Sequence, residues 1–219
     1  MPYPEILPVV AAYTLVCSRQ PIAHRGSSLL LLRVFDQTGR AQQLLDSIQA
    51  RWRTIGPVWQ IGGPDLAQLN VDLFEITMYL AGRLHELFAL DAPSTSDLST
   101  RLRTPPSRDG RWQVQEIFCF NNRWHETVER LMLMSDAMLI DVRGFSPGRA
   151  GTAYELSLLG KHRLLPKALA VGDEKTDWAA VDALVTVSDD NRPLSRIQLK
   201  ADAGVERCLE QLTAIARNA

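Results

Sequence analysis

The run Ala137-Met138-Leu139-Ile140-Asp141-Val142 is followed by Arg143-Gly144-Phe145-Ser146-Pro147-Gly148-Arg149-Ala150-Gly151 and then by Thr152-Ala153-Tyr154-Glu155-Leu156. A short, continuous apolar run bounded by turn residues is the pattern of a strand buried on both faces. The Gly-rich loop behind it leads into a helix, predicted over 152–162. Strand, loop and helix in that order make one unit of a parallel sheet.

The same alternation runs outward in both directions. Upstream, Leu29-Leu30-Leu31-Leu32-Arg33-Val34-Phe35 reads as a second buried strand, ending at Asp36 and Gly39. Leu44, Leu45, Ile48 and Trp52 share one helical face, which predicts a helix over 41–53. Residues 57–61 form a strand closed by Gly62-Gly63-Pro64, and Asp65 opens a helical stretch over 66–90. A short helix at 95–103 and a turn-rich loop at 104–110 precede a strand at 112–120 and a helix at 123–134. Downstream come a strand at 168–171, a helix at 178–184 and a late edge strand at 197–199. A final helix spans 203–217, with Val205, Cys208, Leu209, Leu212 and Ile215 at helical spacing. Together these predict an α/β fold: a mainly parallel sheet of about five strands with helices on both faces. Residues 27–219 are read as one domain, and the packing of 1–26 is left open.

Composition narrows the function. The 24 Lys+Arg balance 25 Asp+Glu for a net charge of −1, so no basic excess drives binding to nucleic acid or to a membrane surface. Hydrophobic residues make up 46% of the 219, enough for a real core without staples. Cys17, Cys119 and Cys208 are odd in number and far apart, which favours a reducing, cytoplasmic setting over a disulfide framework. The apolar run at 6–16 contains Pro8 and is about half the ~20 residues a spanning helix needs, so membrane contact by the N-terminal segment is not expected. The four His lack metal-ligand spacing, and no metal is predicted. P-loop, nucleophile-elbow and dinucleotide-fingerprint patterns are absent.

Ligands of such sheets bind beyond the carboxyl ends of the strands. Arg33 and Phe35 follow the first strand, Trp124 follows the third, and Arg143 to Gly151 follow the fourth. Ser146-Pro147 is a helix-start signal, and Thr152-Ala153-Tyr154-Glu155 fits a capping box. A Gly-flanked helix start suits an anion, with Arg143 and Arg149 placed to clamp a diphosphate. The same residues fit a purely structural role, in which Glu155 only reaches back to the Thr152 amide and the arginines are solvated.

Leu32-Arg33-Val34-Phe35, Ile140-Asp141-Val142-Arg143-Gly144-Phe145-Ser146 and Gly151-Thr152-Ala153-Tyr154-Glu155-Leu156 resemble a bacterial TIR-like domain (Toll/interleukin-1 receptor-like). The strand, loop and Glu-Leu helix also resemble nucleoside 2-deoxyribosyltransferases. The resemblance spans residues 28–172 and implies a flavodoxin-like parallel sheet and N-glycosidic chemistry. It implies Glu155 as the catalytic carboxylate at an oxocarbenium-like centre. Arg33, Phe35, Trp124, Arg143, Ser146, Gly151 and Thr152 would bind the substrate. NAD or another nucleotide would be a substrate rather than a cofactor, and self-association and a role in bacterial defence are expected. A deoxyribosyltransferase-like enzyme and a non-catalytic nucleotide-sensing module remain open beside it.

Overall fold

A computed structural model describes residues 26–32, 39–62, 98, 102, 104–118, 123–186, 193–199 and 204–219. In chain order these form β1 (Leu29–Leu32), α1 (Gly39–Trp52), β2 (Val58–Gly62), β3 (Val114–Phe118), α2 (Trp124–Met134) and β4 (Ala137–Asp141). They continue with α3 (Ala150–Lys161), β5 (Ala168–Gly172), α4 (Trp178–Val185), β6 (Ser195–Gln198) and α5 (Val205–Arg217). The expected 66–90 helix lies outside the described residues. Of the expected 95–103 helix, Leu98 and Leu102 are described, both helical and both buried.

The described strands form one six-stranded sheet in the order β3-β2-β1-β4-β5-β6, and every pairing is parallel. This is a flavodoxin-like α/β arrangement with six strands in place of about five. The order β2-β1-β4-β5-β6 is the five-stranded flavodoxin-like succession, and β3 adds a strand beyond β2. The late edge strand is real and begins at Ser195, before the apolar Ile197.

The Leu29–Leu32 run is continuously apolar because both faces of β1 are covered. Leu30 and Leu32 pack with α2, α3 and α4, while Leu29 and Leu31 pack with α1 and α5. β1 also lies between β2 and β4, with Leu30 opposite Trp59 on one side and Met138 on the other. Burying each such side chain is worth about 1.5–3 kcal/mol. β4 divides in the same way. Met138 and Ile140 face α2, α3 and α4, and Ala137 and Leu139 face α1 and α5. α1 covers one face on the way from β1 to β2, and α3 and α4 cover the other on the way from β4 to β5 and from β5 to β6, so these three crossovers, which progress in opposite directions across the sheet, share one hand.

The winding order reverses between β1 and β4, the position at whose carboxyl end doubly wound sheets hold their ligands. The opposite end of the same pair is closed. The Ser28 amide and hydroxyl both donate to Asp136 Oδ2 at 2.8 Å, and the Asp136 amide donates back to Ser28 Oγ at 3.0 Å. No helix among the described residues is long and apolar enough to cross a membrane.

Candidate functional site

Glu155 sits on the second turn of α3, at the carboxyl end of β4, and is 6% exposed. Its Oε2 has no hydrogen-bond partner. Leu156, Leu158 and Leu159 of the same helix are buried in the cluster that covers this face of the sheet. Burial disfavours the charged form and pushes the Glu155 carboxyl from its ordinary 4.5 up to about 8. Glu155 is therefore largely protonated at neutral pH.

This geometry corrects the two expected helix starts. α3 begins at Ala150, three residues before a Thr152 cap would place it, and Arg149 is its N-cap without a side-chain cap bond. Thr152 is thus a buried residue inside the first turn rather than a cap. Residues 146–149 form a turn closed by the Arg149 amide on the Ser146 carbonyl at 3.0 Å, so Ser146-Pro147 does not open the helix. The Ser146 side chain is exposed. Thr152 and Glu155 are three apart and lie on one helical face, turned inward with Leu159. An inward-facing Thr cannot cap an outward helix end, and this defeats the capping pattern.

Trp124 opens α2 and is half-buried. A Cβ on Gly151 would meet its indole at 3.7 Å, so Trp124 lies over the first turn of α3. Tyr154 and His125 complete an aromatic group, with ring centroids 5.6 Å apart for Trp124–Tyr154, 5.0 Å for Trp124–His125 and 4.3 Å for His125–Tyr154. Trp124 is therefore brought against Gly151 and Tyr154 on the same N-terminal turns of α3 that carry Thr152 and Glu155 on their buried side.

Arg143 is placed elsewhere. Its Nε donates to Asp141 Oδ1 at 2.8 Å and its terminal nitrogen to Oδ2 at 2.5 Å. Strand alternation turns Asp141 to the side of Ala137 and Leu139, where α5 packs. These bonds to Asp141 are the main reason the Arg143 guanidinium is held more firmly protonated than usual. The same group helps restrain the Cys208 thiol of α5, although burial dominates and pushes that thiol up to about 11. Two buried carboxyls thus stand at the carboxyl end of β4 in opposite states: Asp141 is matched by a bidentate arginine and Glu155 is unmatched. Arg33 and Phe35 lie outside the described residues.

The sequence reading missed the clasp that shapes this end of the sheet. Asp173 follows β5 and accepts the amides of Gly144 at 2.9 Å and Lys175 at 3.0 Å. Thr176 Oγ1 accepts the Asp173 amide at 2.8 Å and donates to the Val142 carbonyl at 2.9 Å. Gly144 has φ +61°, a conformation that explains the glycine there. Applying the strand-end rule to β5 as well as to β4 points to Asp173.

No family model, curated protein or solved structure matches the chain.

Among the described residues, no three His, Cys, Asp or Glu side chains come together to hold a metal ion. The chemistry on offer is that of one buried, proton-bearing carboxyl on the helix whose first turns also carry an aromatic group. A group in such a place serves proton transfer or the stabilisation of a developing positive charge.

Proposed function

We propose that this chain cleaves the N-glycosidic bond of NAD or a related nucleotide, with Glu155 as the catalytic carboxyl. One observation carries the reading. A 6%-exposed Glu with an unpartnered oxygen stands at the carboxyl end of β4, beside the reversal point of a doubly wound parallel sheet. Leaving a carboxyl buried without a partner costs stability, so a function at that oxygen accounts for it better than a structural role does.

In NAD the bond to nicotinamide breaks with its electron pair passing to the ring nitrogen, and C1′ becomes oxocarbenium-like. Glu155 as carboxylate stabilises that charge or attacks C1′. Water completes the reaction, giving nicotinamide, ADP-ribose and a proton. Trp124 and Tyr154 offer ring faces beside the α3 start for a flat heterocycle. The bacterial-defence role implied by the TIR-like resemblance belongs to the same proposal.

One observation favours a second reading, a nucleoside N-glycosidase or deoxyribosyltransferase. A carboxyl still protonated near neutral pH can hand its proton to a neutral leaving base. Incubation with NAD and, separately, with deoxynucleosides distinguishes the two by release of nicotinamide or of free base. The assay is run over a range of protein concentrations, because the TIR-like resemblance implies activity that depends on self-association. No release from either at any concentration, with nucleotide binding intact, makes the chain a sensing module instead.

A further inference from the structure

We propose that ligand binding at Glu155 is coupled to proton release. A ligand carrying a fixed positive charge on a flat ring, as an oxidised pyridinium nucleotide does, displaces the carboxyl proton to solvent. An analogue with a neutral ring leaves the proton in place. This rests on the reading of the site as a nucleotide site and adds the proton to it.

Oε2 is buried and unpartnered, on a helix whose Leu156, Leu158 and Leu159 pack into the apolar cluster. The charged groups on the elements packed against α3 are engaged elsewhere. On α2, Glu126 is held by Arg123 and Arg130, and Glu129 by Lys161 and His162. His125 lies edge-on to Tyr154. On α4, Asp177 accepts the Ala180 amide and Asp182 is bonded by Arg196. On β4, Asp141 is matched by Arg143, and Asp173 beyond β5 binds backbone amides. On α3 itself, Lys161 reaches Glu129 and the Tyr154 phenol is raised mainly by burial. Among the described residues, no cation compensates Glu155.

Such a carboxyl holds its proton until a positive charge arrives. A cation within a few ångströms favours the ionised form and opposes the effect of burial. The Glu155 O–H bond then breaks, its electron pair stays on the oxygen and the proton passes to the buffer. Nothing is oxidised or reduced.

The test is titration calorimetry on the whole protein at pH 7, in phosphate and in Tris, whose different ionisation heats reveal protons exchanged. The probes are carbocyclic NAD and NADH. Carbocyclic NAD keeps the pyridinium charge, but its methylene in place of the ribose ring oxygen prevents cleavage through an oxocarbenium ion. The expected release is about 0.9 proton per carbocyclic NAD bound, from a group titrating near 8. Release is close to zero with NADH, and absent with either ligand in Glu155→Gln. In His125→Gln the release persists. The wild-type affinity for carbocyclic NAD also rises about tenfold per pH unit between pH 6 and 7, a readout that needs no variant. Carbocyclic NAD binding without proton release, or equal release in Glu155→Gln, overturns the inference and leaves the nucleotide reading standing. Loss of the release in His125→Gln with its retention in Glu155→Gln also overturns it. Failure of both dinucleotides to bind overturns the nucleotide reading as well.

Discussion

Asp173 accepts the Gly144 amide at 2.9 Å and so ties the turn after β5 to the turn after β4. The bond holds Gly144 in its left-handed conformation and fixes where the chain enters the 145–149 loop ahead of α3. This end of the sheet is thereby preorganised before any ligand arrives.

Burial pushes the Asp173 carboxyl up, but the bonds from Gly144, Thr176 and Lys175 together outweigh it and hold the group below its ordinary range. A carboxylate with a lowered folded value contributes stability that is present above its unfolded value and lost as pH falls through the folded one. Asp173→Ala should lose about 1–2 kcal/mol at pH 7. The gap to wild type should narrow in acid, as denaturant melts at pH 7 and pH 3 would show. An equal gap at both pH values would mean that the carboxylate charge plays no part.

Gly172→Ala should be more damaging. A Cβ there would lie 2.3 Å from the Trp178 ring and 2.9 Å from Thr176 Oγ1. Trp178 is itself pinned under the Arg196 guanidinium, 5.0 Å from the ring centroid, so the ring is not free to move away. Overpacking of this kind costs about 1–3 kcal/mol. It also pushes on Thr176, which joins the two turns. A melting temperature within a degree of wild type would contradict this account.

Glu155 gives the fold a pH dependence of the opposite sign. Its folded value of about 8 lies above the unfolded 4.5, so the native state holds a proton that the unfolded state releases. Stability from this group is complete below pH 4.5, falls as pH rises towards 8 and is lost above it. The full swing is on the order of 5 kcal/mol. Glu155→Gln should remove that slope and be more stable than wild type at pH 9. Parallel pH profiles for the two proteins would place the Glu155 oxygen in water rather than in the core.

Gly151→Ala separates the fold from the ligand site. The new methyl would sit 3.7 Å from Trp124, an ordinary contact, and Ala replaces Gly inside a helix. Stability should rise by about 0.5–1 kcal/mol. If the ligand uses the gap between Trp124 and the first turn of α3, nucleotide affinity should fall while stability rises. Unchanged affinity would move the ligand off this edge of α3.

Much of this architecture is legible in the residues. The Leu29–Leu32 and Ala137–Asp141 runs are apolar at consecutive positions, and only a strand covered on both faces requires that. The α5 face is equally plain, because Cys208 and Leu212 fall at helical spacing and are the residues it buries. The start of α3 is less legible. Thr152 and Glu155 have the chemistry of a capping pair, yet they share the inward stripe with Leu159 and face the core. Nothing local distinguishes an inward Glu from a capping Glu; the sheet beneath decides it. The Arg143 pairing is hidden for a related reason. Asp141 and Arg143 are two apart and lie on the same side of the β4 end, a proximity that matters only once α5 covers that side.

Glu155→Gln is the variant that bears most directly on function. Gln keeps the size of the side chain and resembles the neutral carboxyl of the resting protein, so the fold should be retained at pH 7. Under the proposed glycosidic reading, it removes the charge that would stabilise C1′ or attack it, and with it the transferable proton. Glycosidic cleavage should therefore fall at least ~100-fold, about 2.7 kcal/mol in barrier. Binding of a neutral-ring dinucleotide such as NADH should change little, because the resting carboxyl is neutral as well. Glu155→Asp tests position against charge: the acid remains but is one methylene short, and because reaction rates are sensitive to placement on the ångström scale, cleavage should also fall steeply. Nicotinamide and free-base release, measured beside melting curves for the three proteins, reads both effects. Full turnover in Glu155→Gln would remove Glu155 from the chemistry and leave its burial without the function proposed for it.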